Sequence, residues 1–156
     1  MQRFPIVAIL ENIRSALNVG AMFRTADCAH IQKLVLAGIT PYPPHNRIPK
    51  TALGATETVP WQHEQNSEQV IAEIAQTLPL IAIEVTPKAV SYYDFKFPKP
   101  VALVFGNEIT GVSQASLKKS RAVVKIPMFG SKESLNVATT FGIILFEILR
   151  QWQQAN

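Results

Sequence analysis

Apolar residues follow two spacings along the chain. Unbroken runs at Phe4–Leu10, Lys33–Ile39, Leu80–Val85, Val101–Phe105 and Ala122–Ile126 are rich in Val, Ile, Leu and Ala. Short runs with few polar interruptions predict strands buried on both faces. Between them the spacing turns helical. Leu17–His30 places Met22, Phe23, Ala26 and Ala29 on one side. Asn66-Ser67-Glu68-Gln69 has the form of a capping box opening a helix to Leu78. Ser113–Ser120 predicts a short helix. In Ser134–Gln153, the stripe Val137, Phe141, Ile144, Ile148 and Trp152 is widened by Ile143, Leu145, Phe146 and Leu149. A helix this apolar is buried on more than one side. In a chain this small, one of those sides is expected to meet a second subunit. Strand, helix, strand at these intervals predicts an α/β fold, a mostly parallel sheet flanked by helices.

The connection from Thr40 to Asn66 carries Pro41, Pro43, Pro44, Pro49 and Pro60. Irregular stretches of this length are often functional. It is expected to hold a helical turn at Lys50–Gly54 and a short strand at Val59–His63. A later loop carries Pro87, Pro98 and Pro100.

Composition narrows the class. The 156 residues fit one domain, 1–156, and 47% of them are hydrophobic. Charged residues are only 17%, below the usual share, which again suggests apolar surface covered by a partner. The net charge of +4 suits an anionic partner such as nucleic acid. Without an arginine-rich tail, any such surface must be assembled by folding. The single cysteine, Cys28, excludes an internal disulfide and a multi-cysteine zinc site. Cys28 reads as a small buried helix residue. His30, His45 and His63 lack metal-ligand spacing, so no metal is expected. Trp61 reads as a packing residue, with stacking on a base as the alternative. The N-terminus lacks a signal-peptide core, and Phe141–Leu149 is too short to span a bilayer and contains Glu147. A soluble, cytoplasmic protein is expected.

Three segments carry candidate chemistry. The first runs from Asn12 to Arg24 between a strand and a helix. Asn18 is a candidate helix cap, and Gly20 permits a close approach of another backbone. Arg24 is either a solvated helix residue or a functional one. The second, Val104 to Ser113, leaves the carboxyl end of a strand, where parallel sheets bind ligands. Gly106 and Gly111 permit a tight loop, and Glu108 is either a surface carboxylate or a site residue. Neither a dinucleotide fingerprint nor a Walker loop is present. The third, Ile126 to Ala138, precedes the last helix, and Ser134 is a candidate cap there.

In order, Asn18-Val19-Gly20-Ala21-Met22-Phe23-Arg24, Phe105 to Ser113, and Ile126 to Ala138 resemble motifs one, two and three of the SpoU/TrmH RNA methyltransferases. The resemblance covers essentially the whole chain and is to a minimal, single-domain member. It implies a fold whose C-terminal part threads a deep trefoil knot, which topology rules alone would disfavour. It implies methyl transfer from S-adenosyl-L-methionine to a ribose 2′-OH of tRNA or rRNA, by a homodimer. A catalytically inactive RNA-binding protein of the same fold is the alternative. The implied cofactor positions are Ile83, Glu84, Val104, Gly106, Ile126, Met128 and Leu135. The implied catalytic positions are Arg24, Asn18, Glu108, Ser134 and Asn136. Without an added RNA-binding domain, RNA is expected to meet the dimer surface, including Arg47 and Lys50.

Overall fold

The computed structural model describes residues 1–155. Seven strands form one sheet: β1 (Phe4–Glu11), β2 (Ile31–Ala37), β3 (Trp61–Glu64), β4 (Leu80–Ile83), β5 (Val90–Ser91), β6 (Val101–Phe105) and β7 (Ala122–Lys125). The order across the sheet is β3-β2-β1-β6-β4-β7-β5. Every strand ladder is parallel. The helices are α1 (Ala16–Cys28), α2 (Pro49–Ala52), α3 (Ser67–Thr77), α4 (Gln114–Lys119) and α5 (Val137–Gln154). None of the described helices is long and apolar enough to cross a membrane.

Side-chain alternation along β1 decides which helices cover which face. Ile6, Ala8 and Leu10 point into a core with Met22 and Phe23 of α1 and Phe141, Ile144, Ile148 and Trp152 of α5. Val7 and Ile9 point the other way, toward Val70 and Ile71 of α3. Burial on both faces explains the unbroken apolar runs. Phe105 and Phe141 meet edge to face at 5.0 Å, linking the end of β6 to α5. β1 lies between β2 and β6, so the chain leaves it in one direction first and returns on its other side later. A crevice opens outside the carboxyl ends of strands at such a reversal.

Several boundaries differ from expectation, each for a local reason. Helix α5 begins at Val137, not Ser134, because Asn136 is its cap. The Asn136 Oδ1 accepts from Ala138 N at 2.8 Å and Thr139 N at 3.3 Å. Likewise α1 is capped by Ser15, whose Oγ accepts from Asn18 N at 3.1 Å. The side chain of Asn18 is thereby released for other partners. Asn66 does cap α3, accepting from Gln69 N at 3.0 Å, but Gln69 Nε2 donates to Glu73 rather than returning to the cap. Cys28 is exposed, since Ala26 and Ala29 take the inward positions around it. Strand β5, pairing Val90 with Val124, has only two residues and was not anticipated. Trp61 packs edge-on against Phe23, with centroids 6.4 Å apart.

The close approach allowed by Gly20 is made within this chain. A Cβ there would overlap Thr51 Oγ1 and the carbonyl of Ile48, so α1 and α2 pack backbone to side chain. Thr51 Oγ1 also donates to Leu17 O at 2.8 Å. The proline-rich connection is thereby fastened to the helix that carries motif one.

Candidate active site

A cleft of about 570 Å³ opens at the carboxyl edge of the sheet. Its walls come from the ends of β4, β6 and β7, the loop 106–113 and the segment 126–137. Of the cofactor positions named above, Ile83, Glu84, Gly106, Ile126, Met128 and Leu135 line it. Val104 does not. It is fully buried in the core with α3, because alternation along β6 turns it away while Phe105 and Gly106 face the cleft. Glu108, Ser134 and Asn136 also line the cleft.

The loop 106–113 is held by its own turn and by carboxylates. Asn107 Oδ1 accepts from Ile109 N at 2.8 Å and Thr110 N at 3.0 Å, and Asn107 Nδ2 donates to Asn12 O at 2.8 Å. Gly111 N donates to Asn107 O at 2.9 Å, closing the turn. A Cβ on Gly106 would overlap the backbone of Gly111 and Val112, so this glycine lets the loop fold back on itself. Glu84 accepts from Val112 N at 2.8 Å and from Val85 N at 2.9 Å. Glu11, only 2% exposed, accepts from Ser113 N at 3.0 Å, Ser113 Oγ at 2.6 Å and Ser116 Oγ at 2.7 Å. A buried carboxylate is tolerated when it is this fully bonded.

Glu108 points the other way, into motif one. It accepts from Arg14 N at 2.8 Å, Ser15 N at 2.9 Å and Asn18 Nδ2 at 3.2 Å. These donors sit at the start of α1, where a negative charge also meets the positive end of the helix dipole. Burial raises the Glu108 pKa, but the hydrogen bonds from Arg14, Ser15 and Asn18 outweigh it, leaving the carboxyl below its ordinary value. Asn18 Oδ1 in turn accepts from Asn136 Nδ2 at 3.1 Å. Glu108, Asn18 and Asn136 thus join all three motifs in one chain of hydrogen bonds.

Arg24 lies elsewhere. It is exposed on α1 and borders a depression of about 600 Å³ with Cys28, Lys50, Leu53 and Phe146. Leu53 is 64% exposed and Phe146 50%. Sequence reasoning missed Glu11 and Asn107 as site-building residues. A carboxylate ending a buried strand was the available signal for Glu11. For Asn107, the signal was an asparagine between two glycines in a tight loop.

A model of the SpoU rRNA Methylase family matches residues 5–146. The 23S rRNA (guanosine-2′-O-)-methyltransferase RlmB of Ralstonia nicotianae is 31% identical over 147 residues, covering 94% of this chain and 59% of that protein. RlmB of Haemophilus influenzae is 31% identical over 148 residues, covering 94% and 60%. The chain therefore spans about 60% of the length of these relatives. Among solved structures, the A. aeolicus TrmH/SpoU tRNA modifying enzyme superposes with a TM-score of 0.88 at 26% identity, covering 99% of this chain and 79% of that one. The AdoMet-bound rRNA methyltransferase from Sinorhizobium meliloti gives 0.86 at 29% identity, covering 93% and 56%. With the family's pattern matched across nearly all of its sheet and all three of its site-forming segments, the chain belongs to the SpoU rRNA methylase family.

Proposed function

We propose that the chain is an S-adenosylmethionine-dependent methyltransferase acting on a ribose 2′-OH of tRNA or rRNA, with the cleft as its cofactor site. The observation that carries this reading is the cleft's size and lining. Its volume of about 570 Å³ suits a small-molecule site. Ile83, Ile126, Met128 and Leu135 offer apolar surface to a nucleobase. Glu84 and Glu108 outnumber Lys125 among the charged lining residues, which favours a ligand with a cationic end. The relatives named for RNA 2′-O-methylation and the neighbour named with bound AdoMet support the same chemistry.

When bound, S-adenosylmethionine supplies a methyl group made electrophilic by its sulfonium. The chain's own residues would hold the acceptor. A ribose hydroxyl is a weak nucleophile and loses its proton as it attacks. Arg24 stays protonated in a protein, so its role in this reading is to grip the neighbouring phosphate and orient the hydroxyl. Ser134 and Asn136 border the cleft where the ribose would lie. Fixing both reactants in place accounts for much of the rate in such a reaction.

Arg24 and the cleft are lined by separate residue sets within one chain. The reading therefore includes a homodimer in which the α1–α5 face, with Arg24 and Phe146, closes against the partner. It also includes the deep trefoil knot, with the segment before α5 as the threaded part, and a cytoplasmic location. The same separation of Arg24 is the observation that favours the alternative, an inactive RNA-binding protein of this fold. The test is Arg24→Ala, with S-adenosylhomocysteine binding followed by calorimetry and methyl transfer followed under single turnover on total RNA from a strain lacking the gene. Cofactor binding should persist and transfer should fall at least ~100-fold. Wild-type rates in the variant remove Arg24 from the mechanism. Wild-type protein that binds the cofactor analogue but transfers nothing favours the inactive alternative.

A further inference from the structure

A second open region lies along the same edge of the sheet, outside β2 and β3, with a volume of about 820 Å³. At its centre the rings of Tyr42 and His63 are stacked, 3.8 Å between centroids and 21° from parallel. Tyr42 belongs to the irregular proline-rich connection and is 45% exposed. A tyrosine in that setting ordinarily samples many positions, yet this one is tied down through its neighbours. The Thr40 hydroxyl, buried two residues earlier, accepts from Ile13 N at 3.0 Å and lies 2.8 Å from both Leu10 O and Ala37 O, to which it can donate. Asn12 Oδ1 accepts from Ile39 N at 3.1 Å. His63 Nε2 stands 3.3 Å from Gly38 O, so the tautomer protonated there donates to it.

Two of these anchors, at Ile13 and Asn12, lie in the β1–α1 loop, which also bonds the loop 106–113 that walls the cleft. Asn12 O accepts from Asn107, and the amides of Arg14 and Ser15 hold Glu108. One short loop is thus bonded both to a wall of the cleft and to the supports of the stacked pair. The chemistry described above uses neither Tyr42 nor His63.

We propose that the Tyr42–His63 stack is a platform for a nucleobase of the RNA substrate, one that flanks the methylated ribose. This rests on the methyltransferase reading of the cleft. Unpaired bases of RNA are bound by stacking on aromatic side chains. The support of Tyr42 by His63 leaves a π surface already fixed in position, so little ordering entropy is lost on binding. Asn12, Gln65 and Ser67 line the same hollow and bring hydrogen-bonding groups for a base edge. Arg47, exposed on the same connection, brings positive charge for an adjoining phosphate.

The test uses the whole chain and total RNA from a strain lacking the gene. Short-wavelength ultraviolet light should cross-link RNA to wild-type protein, and mass spectrometry should place a nucleotide adduct on Tyr42. In single-turnover titrations, Tyr42→Ala should raise the RNA concentration needed for half-maximal rate about tenfold, the scale of one lost base stack. Tyr42→Trp should restore it, since a larger ring offers the same surface. The S-adenosylhomocysteine affinity should be that of wild type in both variants, which also shows that the cleft is folded. An RNA dependence for Tyr42→Ala equal to wild type overturns the platform, and so does failure of Tyr42→Trp to rescue. If wild-type protein transfers no methyl group at all, the methyltransferase reading falls instead, and the platform with it.

Discussion

Asn136 Nδ2 donates to Asn18 Oδ1 across 3.1 Å, joining residues 118 apart in sequence. The same Asn136 caps α5, and the same Asn18 donates to Glu108 at 3.2 Å. A short polar chain therefore fixes how the first turn of α1, the loop 106–113 and the start of α5 sit against one another. The loop 106–113 and the start of α5 both wall the cleft, so its shape depends on that chain.

Asn18→Asp tests the polar chain by charge. The substitution replaces a donor to Glu108 with a second carboxylate at hydrogen-bonding distance. Like charges this close disfavour each other's ionisation. At neutral pH the variant should be less stable than Asn18→Ala, with the gap narrowing as the solution is acidified. Thermal melts of both variants across pH check the order. A variant Asn18→Asp as stable as Asn18→Ala at neutral pH contradicts it.

Glu108 has a folded-state pKa below its ordinary value. A depressed carboxylate pKa contributes stability above the unfolded pKa, and that contribution is lost as pH falls through the folded pKa. Glu108→Gln should therefore be clearly less stable than wild type at neutral pH. The gap should begin to narrow once pH falls below about 4.3, the unperturbed glutamate value, and should close only at a more acid pH, below the folded-state pKa. Because Glu108 is exposed, solvent screening keeps the difference modest. Urea titrations at neutral pH and at that more acid pH read it directly, and a difference independent of pH would remove the charge-based account.

Gly106→Ala adds a single methyl group where the backbone of Gly111 and Val112 already stands. The loop must shift, at a cost of about 1–3 kcal/mol for overpacking. Affinity for S-adenosylhomocysteine should fall at least about tenfold, the equivalent of 1.4 kcal/mol. Calorimetry showing normal affinity would mean that the loop position does not shape the binding site.

The two aromatic residues of α5 should behave differently. Phe141 is fully buried against Phe105, so Phe141→Ala should cost about 3–5 kcal/mol of folding stability. Phe146 is half exposed beside Arg24, so Phe146→Ala should change monomer stability by about 0.5 kcal/mol or less. Phe146→Glu should instead weaken self-association, seen as a lower sedimentation coefficient at micromolar concentration. Wild-type protein that sediments as a monomer would remove the dimer from the account.

The central strands were legible in the sequence, and the site's internal bonding was not. Val101–Phe105 was expected and found with the same ends, because a Val-rich apolar run this short suits a buried strand and not a helix. Val90–Ser91 was missed, since two residues carry no period. For α5, sequence offered Ser134 as the candidate cap, three residues before the apolar stripe. The choice of Asn136 goes with its bond to distant Asn18, which no local pattern records. The same holds for Glu11, whose partners Ser113 and Ser116 lie more than 100 residues away. Ile83, Glu84, Gly106, Ile126, Met128, Leu135, Ser134 and Asn136, named from motif order, line one cleft, while strand alternation turned Val104 away from it.

The central claim is that this cleft serves methyl transfer to a ribose hydroxyl of RNA. The direct measurement is incubation of the wild-type chain with methyl-labelled S-adenosylmethionine and total RNA from a strain lacking the gene. The RNA is then digested to nucleosides and the labelled product identified by mass spectrometry. The account predicts label in a 2′-O-methylated nucleoside, abolished by excess S-adenosylhomocysteine. Label on a base, or no labelled nucleoside from protein shown by calorimetry to bind the cofactor, would contradict it.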